Sequence, residues 1–255
     1  GPNRLYLNEG NLKFRDITAE AGVSAVEGIK TGVAIADVNG DGWQDIYVCR
    51  AGLKPGDICR NLLFVNNKNN TFTEQAKAFG LDDPSPGNHA NFFDYDLDGD
   101  LDAYVINFPV DFNLTTQMDM QQLEDGRIIR RTAPTTEFES DKLFRNNGNG
   151  AFTDVSKAAG IHNRAFSLSC TVTDFNQDGW PDLYIANDYL EPDFQYINNR
   201  NGTFTDQQPA HFRHNANHTM GVDIADVNGD ALPDMIALDM LAEDYQRQKM
   251  LGTSM

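Results

Sequence analysis

A nine-residue acidic motif occurs four times in fixed phase, and that phase is the tightest constraint on the fold. DVNGDGWQD starts at Asp37, DYDLDGDLD at Asp94, DFNQDGWPD at Asp174 and DVNGDALPD at Asp226. Each begins 28 or 29 residues after an asparagine: Asn8, Asn66, Asn146 or Asn198. That asparagine lies six residues before a phenylalanine: Phe14, Phe72, Phe152 or Phe204. Gly22, Gly80 and Gly160 follow it by fourteen in three copies, and Phe212 stands there in the fourth. Self-similarity at a period of this size marks a repeat protein.

Each unit reads as β. A run of small and apolar residues precedes the nonamer, as in GVAIAD (32–37). Short β-branched and aromatic runs follow it: DIYVC, DAYVI, DLYIA and DMIAL. LFRN, NGNG and AFTDV read as a hairpin with a glycine-rich turn. One unit is therefore strand, acidic loop, strand, connection, strand, hairpin turn, strand. Four antiparallel strands at this period describe a blade of an all-β β-propeller; a β-solenoid would have a shorter period. The expected division of the 255 residues is a half blade at 1–31 and blades at 32–88, 89–166 and 167–218. Another half blade and a tail fill 219–255.

The nonamer has the chemistry of a cation cage. Ca²⁺ takes six to eight oxygens, and a tight loop supplies them from alternate side chains and a carbonyl. Positions one, three, five and nine carry side-chain oxygens, position seven offers its carbonyl, and glycine at six allows the turn. The expected ligand sets are Asp37, Asn39, Asp41, Asp45 with the Trp43 carbonyl, and Asp94, Asp96, Asp98, Asp102 with that of Asp100. Two more are Asp174, Asn176, Asp178, Asp182 with Trp180, and Asp226, Asn228, Asp230, Asp234 with Leu232. An EF-hand needs a glutamate at position twelve, where this chain has Val48, Val105, Ile185 and Ala237. One nonamer alone also reads as an Asx turn whose carboxylates cap amides. Four copies would repel strongly without a cation, so up to four Ca²⁺ are expected.

The net charge of −18 disfavours nucleic acid as a partner, because its phosphates would be repelled. No apolar run approaches the ~20 residues of a membrane helix and no signal peptide is visible, so an exported chain is expected to have lost its leader. Cys49 and Cys59 flank a strand connection and are able to pair, while Cys170 sits in an apolar strand; three separate thiols is the alternative. Residues 107–141 form an insertion, and it carries the basic knot RIIRR with Arg127, Arg130 and Arg131. A long insertion in a compact blade carries function or is a solvated loop, so these arginines are candidate partner contacts. His211, His214 and His218 invite a zinc reading, but no cysteine or acid joins them and the repeat phase places them in a connection. No nucleophile elbow or phosphate-cradling glycine loop is present.

Small-residue strand, D-x-[DN]-x-DG-x-x-D, strand and L-[YF]-x-N-x-G-x-G-x-F together resemble the FG-GAP/VCBS repeats of integrin α-like propellers. The match covers nearly the whole chain outside the insertion, with Ala231 departing from the loop glycine. SLSCTVTDFNQDGWPDLYIANDYLEPDFQYINN and MGVDIADVNGDALPDMIALDM are most similar to large surface VCBS-repeat proteins related to the cartilage acidic protein family. The resemblance implies an extracellular or cell-surface, calcium-stabilised scaffold that binds a protein or glycan and catalyses no reaction. It also implies seven blades, so the chain is expected to be an arc whose partner includes the rest of a propeller; the alternative is a closed four-bladed ring. The functional alternative is the propeller portion of a secreted polysaccharide-active enzyme, which needs an acid/base pair or aromatic platform outside the repeat.

Overall fold

Each repeat unit folds as an antiparallel sheet whose strands run in chain order. The computed structural model describes residues 1–52, 59–110, 119–122, 128–131, 138–189, 191–214, 216 and 218–240. A two-stranded sheet comes first, β1 (Tyr6–Asn8) and β2 (Phe14–Asp16). The next sheet holds β3 (Ile29–Ala36), β4 (Asp45–Ala51), β5 (Leu62–Asn66) and β6 (Phe72–Glu74). β7 (Gly87–Phe93) and β8 (Asp102–Asn107) open the following sheet. After the insertion, β11 (Lys142–Asn146) and β12 (Phe152–Asp154) complete it. The last full sheet is β13 (Phe166–Thr173), β14 (Asp182–Asp188), β15 (Phe194–Asn198) and β16 (Phe204–Asp206), and β17 (Thr219–Ala225) pairs with β18 (Asp234–Asp239).

The sheets stand face to face, with their first strands β3, β7, β13 and β17 side by side. This is a β-propeller arc. The core lies between blades rather than within one: Val48 and Phe64 pack with Ile17, Ala21 and Val23 of the preceding half blade. Tyr47, Leu63 and Leu81 pack against Ala103, Val105 and Phe144, and Tyr104, Ile106 and Leu143 against Leu183, Ile185 and Tyr196. A sheet covered on both faces has no need of polar alternation, and every residue of β8 and β14 is buried. Each first strand carries a register shift near its start, at Lys30/Gly32, Gly87/His89, Ser167/Ser169 and Thr219/Gly221. Such a bulge raises local twist at the crowded axis.

The ring does not close on itself among the described residues. β1 pairs with β2 and β17 with β18, in separate sheets. Apolar side chains stay exposed where a further sheet face would lie: Ile29, Val33 and Ile35 on β3, Ile236 and Leu238 on β18. Among the described residues the architecture is an open arc and not a closed four-bladed ring.

Three features depart from the sequence reading. Each unit ends in a one-turn helix: α1 (Thr18–Ala21), α2 (Ala76–Phe79), α3 (Ser156–Ala159) and α4 (Gln208–His211). Gly22, Gly80 and Gly160 close the first three in the left-handed region, at φ of 78°, 75° and 83°. A Cβ on Gly80 would lie 2.8 Å from the Phe152 carbonyl oxygen of the next blade, so this repeated glycine also serves blade packing. Phe212 ends α4 in an extended conformation instead. Second, the insertion contains a hairpin, β9 (Asp119–Gln122) with β10 (Ile128–Arg131). Arg130 and Arg131 lie on β10, and Arg127 falls outside the described residues.

Third, the possible Cys49–Cys59 disulfide is not formed, and Cys49, Cys59 and Cys170 are separate buried thiols. Cys49 faces the interblade core with Leu63 and Leu81, whereas Cys59 is buried outside that cluster.

Candidate metal centre

The four acidic loops share one internal scaffold. Position one receives the amides of positions five and six. Asp37 Oδ1 accepts from Asp41 N (3.0 Å) and Oδ2 from Gly42 N (2.7 Å), and Asp174 does the same with Asp178 and Gly179. In the second loop Asp94 accepts from Asp98 N and Gly99 N, and in the fourth Asp226 accepts from Asp230 N and Ala231 N. Position five in turn accepts from the amide of position seven, at Trp43, Asp100, Trp180 and Leu232. Asn39, Asn176 and Asn228 add a bond to the amide of position five. Position six is left-handed throughout, with φ of 86° at Gly42, 97° at Gly99, 87° at Gly179 and 66° at Ala231.

The ninth aspartate ties the loop to its blade. Asp45, Asp102 and Asp182 are buried, and each spans two amides. Oδ2 takes that of position two (Val38, Tyr95, Phe175), and Oδ1 takes that of the repeated asparagine on the third strand (Asn66, Asn146, Asn198). Asp234 keeps only the first bond, from Val227 N, among the described residues. The asparagine side chain then crosses to the preceding blade. Asn146 Nδ2 donates to the Val38 carbonyl (3.1 Å) and Asn198 Nδ2 to that of Tyr95 (2.8 Å). The phase between asparagine and nonamer seen in the sequence is thus a hydrogen-bonded joint between loop, strand and neighbouring blade.

The loops differ in how their charge is met. In the first, Lys68 Nζ lies 3.4 Å from Asp41 Oδ2; in the third, Arg200 donates from Nε and Nη2 to Asp178 Oδ2 at 2.9 and 2.8 Å. Both cations sit two residues after the repeated asparagine, and Gly148 occupies that place in the second loop. Burial works against ionisation of Asp178, yet the Trp180 amide and Arg200 outweigh it and hold its carboxyl below the ordinary value.

The second loop has Gly148 at that place and four aspartates, with Arg145 only partly opposing the rise of the Asp96 carboxyl. Asp94, Asp96 and Asp102 bring carboxylate oxygens within 4.8 Å of one another. Asp96 Oδ1 is buried with no hydrogen-bond partner. Burial, then the charges of Asp98 and Asp94, push the Asp96 carboxyl up. Burial pushes Asp102 up to about 7. A compact set of hard oxygen donors, one of them orphaned, fits a hard divalent cation, which would supply the missing partner and the countercharge together. Asp98 and Asp100 flank this cluster, with Asp98 held by the Asp100 amide.

The sequence reading missed a second repeated device. Tyr47, Tyr104 and Tyr184 each bond an Asx residue five positions before the repeated asparagine. Asn61 Nδ2 donates to Tyr47 Oη (2.9 Å), Tyr104 Oη donates to Asp141 Oδ2 (2.9 Å) and Tyr184 Oη to Asp193 Oδ2 (2.8 Å). The other atom of each Asx group, Oδ1, accepts the amide of Arg50, Asn107 or Asn187, pinning each second-to-third strand connection. The signal was present as tyrosine two residues after the ninth aspartate. The three histidines part company: His211 Nδ1 meets Gln195 Oε1, His218 Nδ1 meets Asp188 Oδ1, and His214 is exposed.

The chain matches the FG-GAP-like repeat family over residues 1–48, 133–185 and 174–237. It is similar to cartilage acidic protein 1 of Homo sapiens, at 27% identity over 72% of this chain and 32% of that protein. The Mus musculus counterpart is 26% identical over 72% and 33%. The chain therefore spans about a third of the length of these relatives. Among solved structures it resembles the rhamnogalacturonan lyase YesW, with a TM-score of 0.42 and 18% identity over 83% of this chain and 41% of that one. It also resembles an Agrocybe aegerita lectin that recognises non-reducing terminal N-acetylglucosamine, with a TM-score of 0.32 and 16% identity over 92% and 68%.

Proposed function

The chain belongs to the FG-GAP-like repeat family, and from that premise we propose that it is an extracellular, calcium-stabilised propeller scaffold that binds a protein or glycan partner and catalyses no reaction. The observation that carries the calcium reading is the Asp94–Asp96–Asp102 cluster with its orphaned Asp96 oxygen. The side chains of Asp94, Asp96, Asp98 and Asp102 and the Asp100 carbonyl hold the cation, which supplies countercharge and rigidity. The other three loops use their equivalent residues, from Asp37, Asp174 and Asp226 onward. Extracellular modules of this kind bind Ca²⁺ at roughly 10⁻⁴–10⁻³ M, a range suited to the outside of the cell.

The partner binds at the end opposite the acidic loops, where each second strand ends and each first strand begins. Cation binding to the folded chain alone adds stability as RT ln(1 + [L]/Kd). Millimolar Ca²⁺ is therefore expected to raise the melting temperature and EDTA to lower it, with Asp96→Asn, which gives the second loop the asparagine of the other three, trimming the response without abolishing it. A melting curve indifferent to both additions would sink the calcium reading.

A further inference from the structure

At the end remote from the acidic loops, four rings run across three blades in an unbroken series. Phe108 follows β8, Phe166 starts β13, Tyr189 follows β14 and His218 precedes β17. Phe108 and Phe166 stack at 6.3 Å with planes 24° apart. Phe166 and Tyr189 meet edge to face at 4.9 Å, and Tyr189 meets His218 the same way at 6.0 Å. All four are half-buried, so the series forms a partly open strip rather than core.

The strip is built around a carboxylate. Asp188 is buried, and its Oδ1 accepts from the Tyr189 amide (2.8 Å) and lies 2.8 Å from His218 Nδ1. Tyr189 has a φ of 67°, a conformation that a large side chain adopts only when its surroundings enforce it, and such outliers gather at ligand sites. Here the Asp188 bond holds that turn and sets the ring between Phe166 and His218. None of these residues has a counterpart in the loop machinery, and no repeat phase requires them.

The geometry points to a saccharide-binding strip, with Phe108, Phe166 and Tyr189 receiving the apolar C–H faces of sugar rings and Asp188 and His218 taking hydroxyls. A sugar ring presents an apolar face and a polar edge, and this strip offers half-buried aromatic surface beside a fixed carboxylate and imidazole. Charge selects within that class. Asp188 and Asp239, which accepts the His218 amide, stand at the strip on a chain of net charge −18. The strip therefore takes neutral sugars and repels uronates. The inference rests on the reading of the chain as a binding scaffold and names the ligand class of its partner-facing end.

The test is calorimetric titration of the calcium-loaded full chain with neutral hexose and N-acetylhexosamine oligosaccharides, and with an oligogalacturonate as the acidic arm. A neutral oligosaccharide is expected to bind and the oligogalacturonate is not. Tyr189→Ala, Phe108→Ala and Asp188→Asn are each expected to weaken binding by about tenfold or more. Asp188→Asn preserves shape, so its loss of binding with an unchanged melting temperature separates recognition from folding. Failure of every neutral sugar to bind, equal binding of the acidic one, or full affinity in all three variants overturns the proposal. The calcium-dependent rise in melting temperature is expected to persist in Asp188→Asn; if it persists and no sugar binds, this strip fails while the calcium reading stands.

Discussion

Ala231 shows what a single residue does to a loop built four times. It holds a φ of 66° where the other loops have glycine, and its amide still donates to Asp226 Oδ2 at 2.8 Å. The left-handed conformation costs a non-glycine residue about 1 kcal/mol. Ala231→Gly is expected to stabilise the fourth loop by about that amount and to raise its calcium affinity, as measured by chemical denaturation and calorimetry. Unchanged affinity would count against strain as the weak point of this loop. At Gly148 the missing side chain is the informative feature. Lys68 and Arg200 occupy the same place at φ of 66° and 60°, so the turn accepts a long cation, although a Cβ at 148 would lie 3.0 Å from Asp100 Oδ2 and needs that carboxylate end to shift. Gly148→Lys is expected to bring an ammonium to the second loop, lift the melting temperature in EDTA and shrink the gain from Ca²⁺. A calcium response of undiminished size would show that charge neutralisation is not what the ion supplies there.

At the scale of elements, the tyrosine–Asx tethers explain how connections of very different length reach the same strand geometry. Each pins the end of the second strand to the start of the third, whatever lies between. The tether at Asp141 is fully buried. Burial pushes its carboxyl up to about 6 against bonds from the Asn107 amide, Asn163 and Tyr104. A folded-state value above the ordinary 3.8 means that the fold prefers the protonated acid. Its contribution to stability is complete below about 3.8 and is lost as pH rises through about 6. Asp141→Asn is expected to flatten that stretch of the stability-against-pH curve measured by urea denaturation. Asn61 makes the same tether to Tyr47, so the substitution has a working precedent in the chain. A slope that survives Asp141→Asn assigns the titration elsewhere.

For the whole molecule, stacking of sheets makes the outer faces of the arc its exposed apolar surface. Ile236 is 62% and Leu238 59% exposed, and Val33 and Ile35 are comparable on the other side. Unpaired edges and apolar faces of this kind favour association. The 255-residue chain is expected to self-associate with rising concentration in light scattering, and Ile236→Lys with Leu238→Lys to suppress it. Equal association in both proteins would place the contact on another surface.

The repeat, the strand order within a blade and the cage-like composition of the loops were all legible from residues at fixed spacing, because local hydrogen bonding and strand alternation act over short separations. The left-handed requirement at position six was legible for the same reason, through Gly42, Gly99 and Gly179. What the sequence did not disclose depends on residues far apart in the chain. Asn146 reaches Val38 and Asn198 reaches Tyr95 only when blades stack. Lys68 and Arg200 become counterions only when a hairpin folds back over its own loop. Cys49 and Cys59 are close in sequence, yet only Cys49 joins the core between blades. Phe108, Phe166, Tyr189 and His218 carry no common motif and meet only because the second strand of one blade ends beside the first strand of the next. Spacing along the chain determined the blade and its loops; packing between blades decided which carboxylates lack a partner and which rings meet.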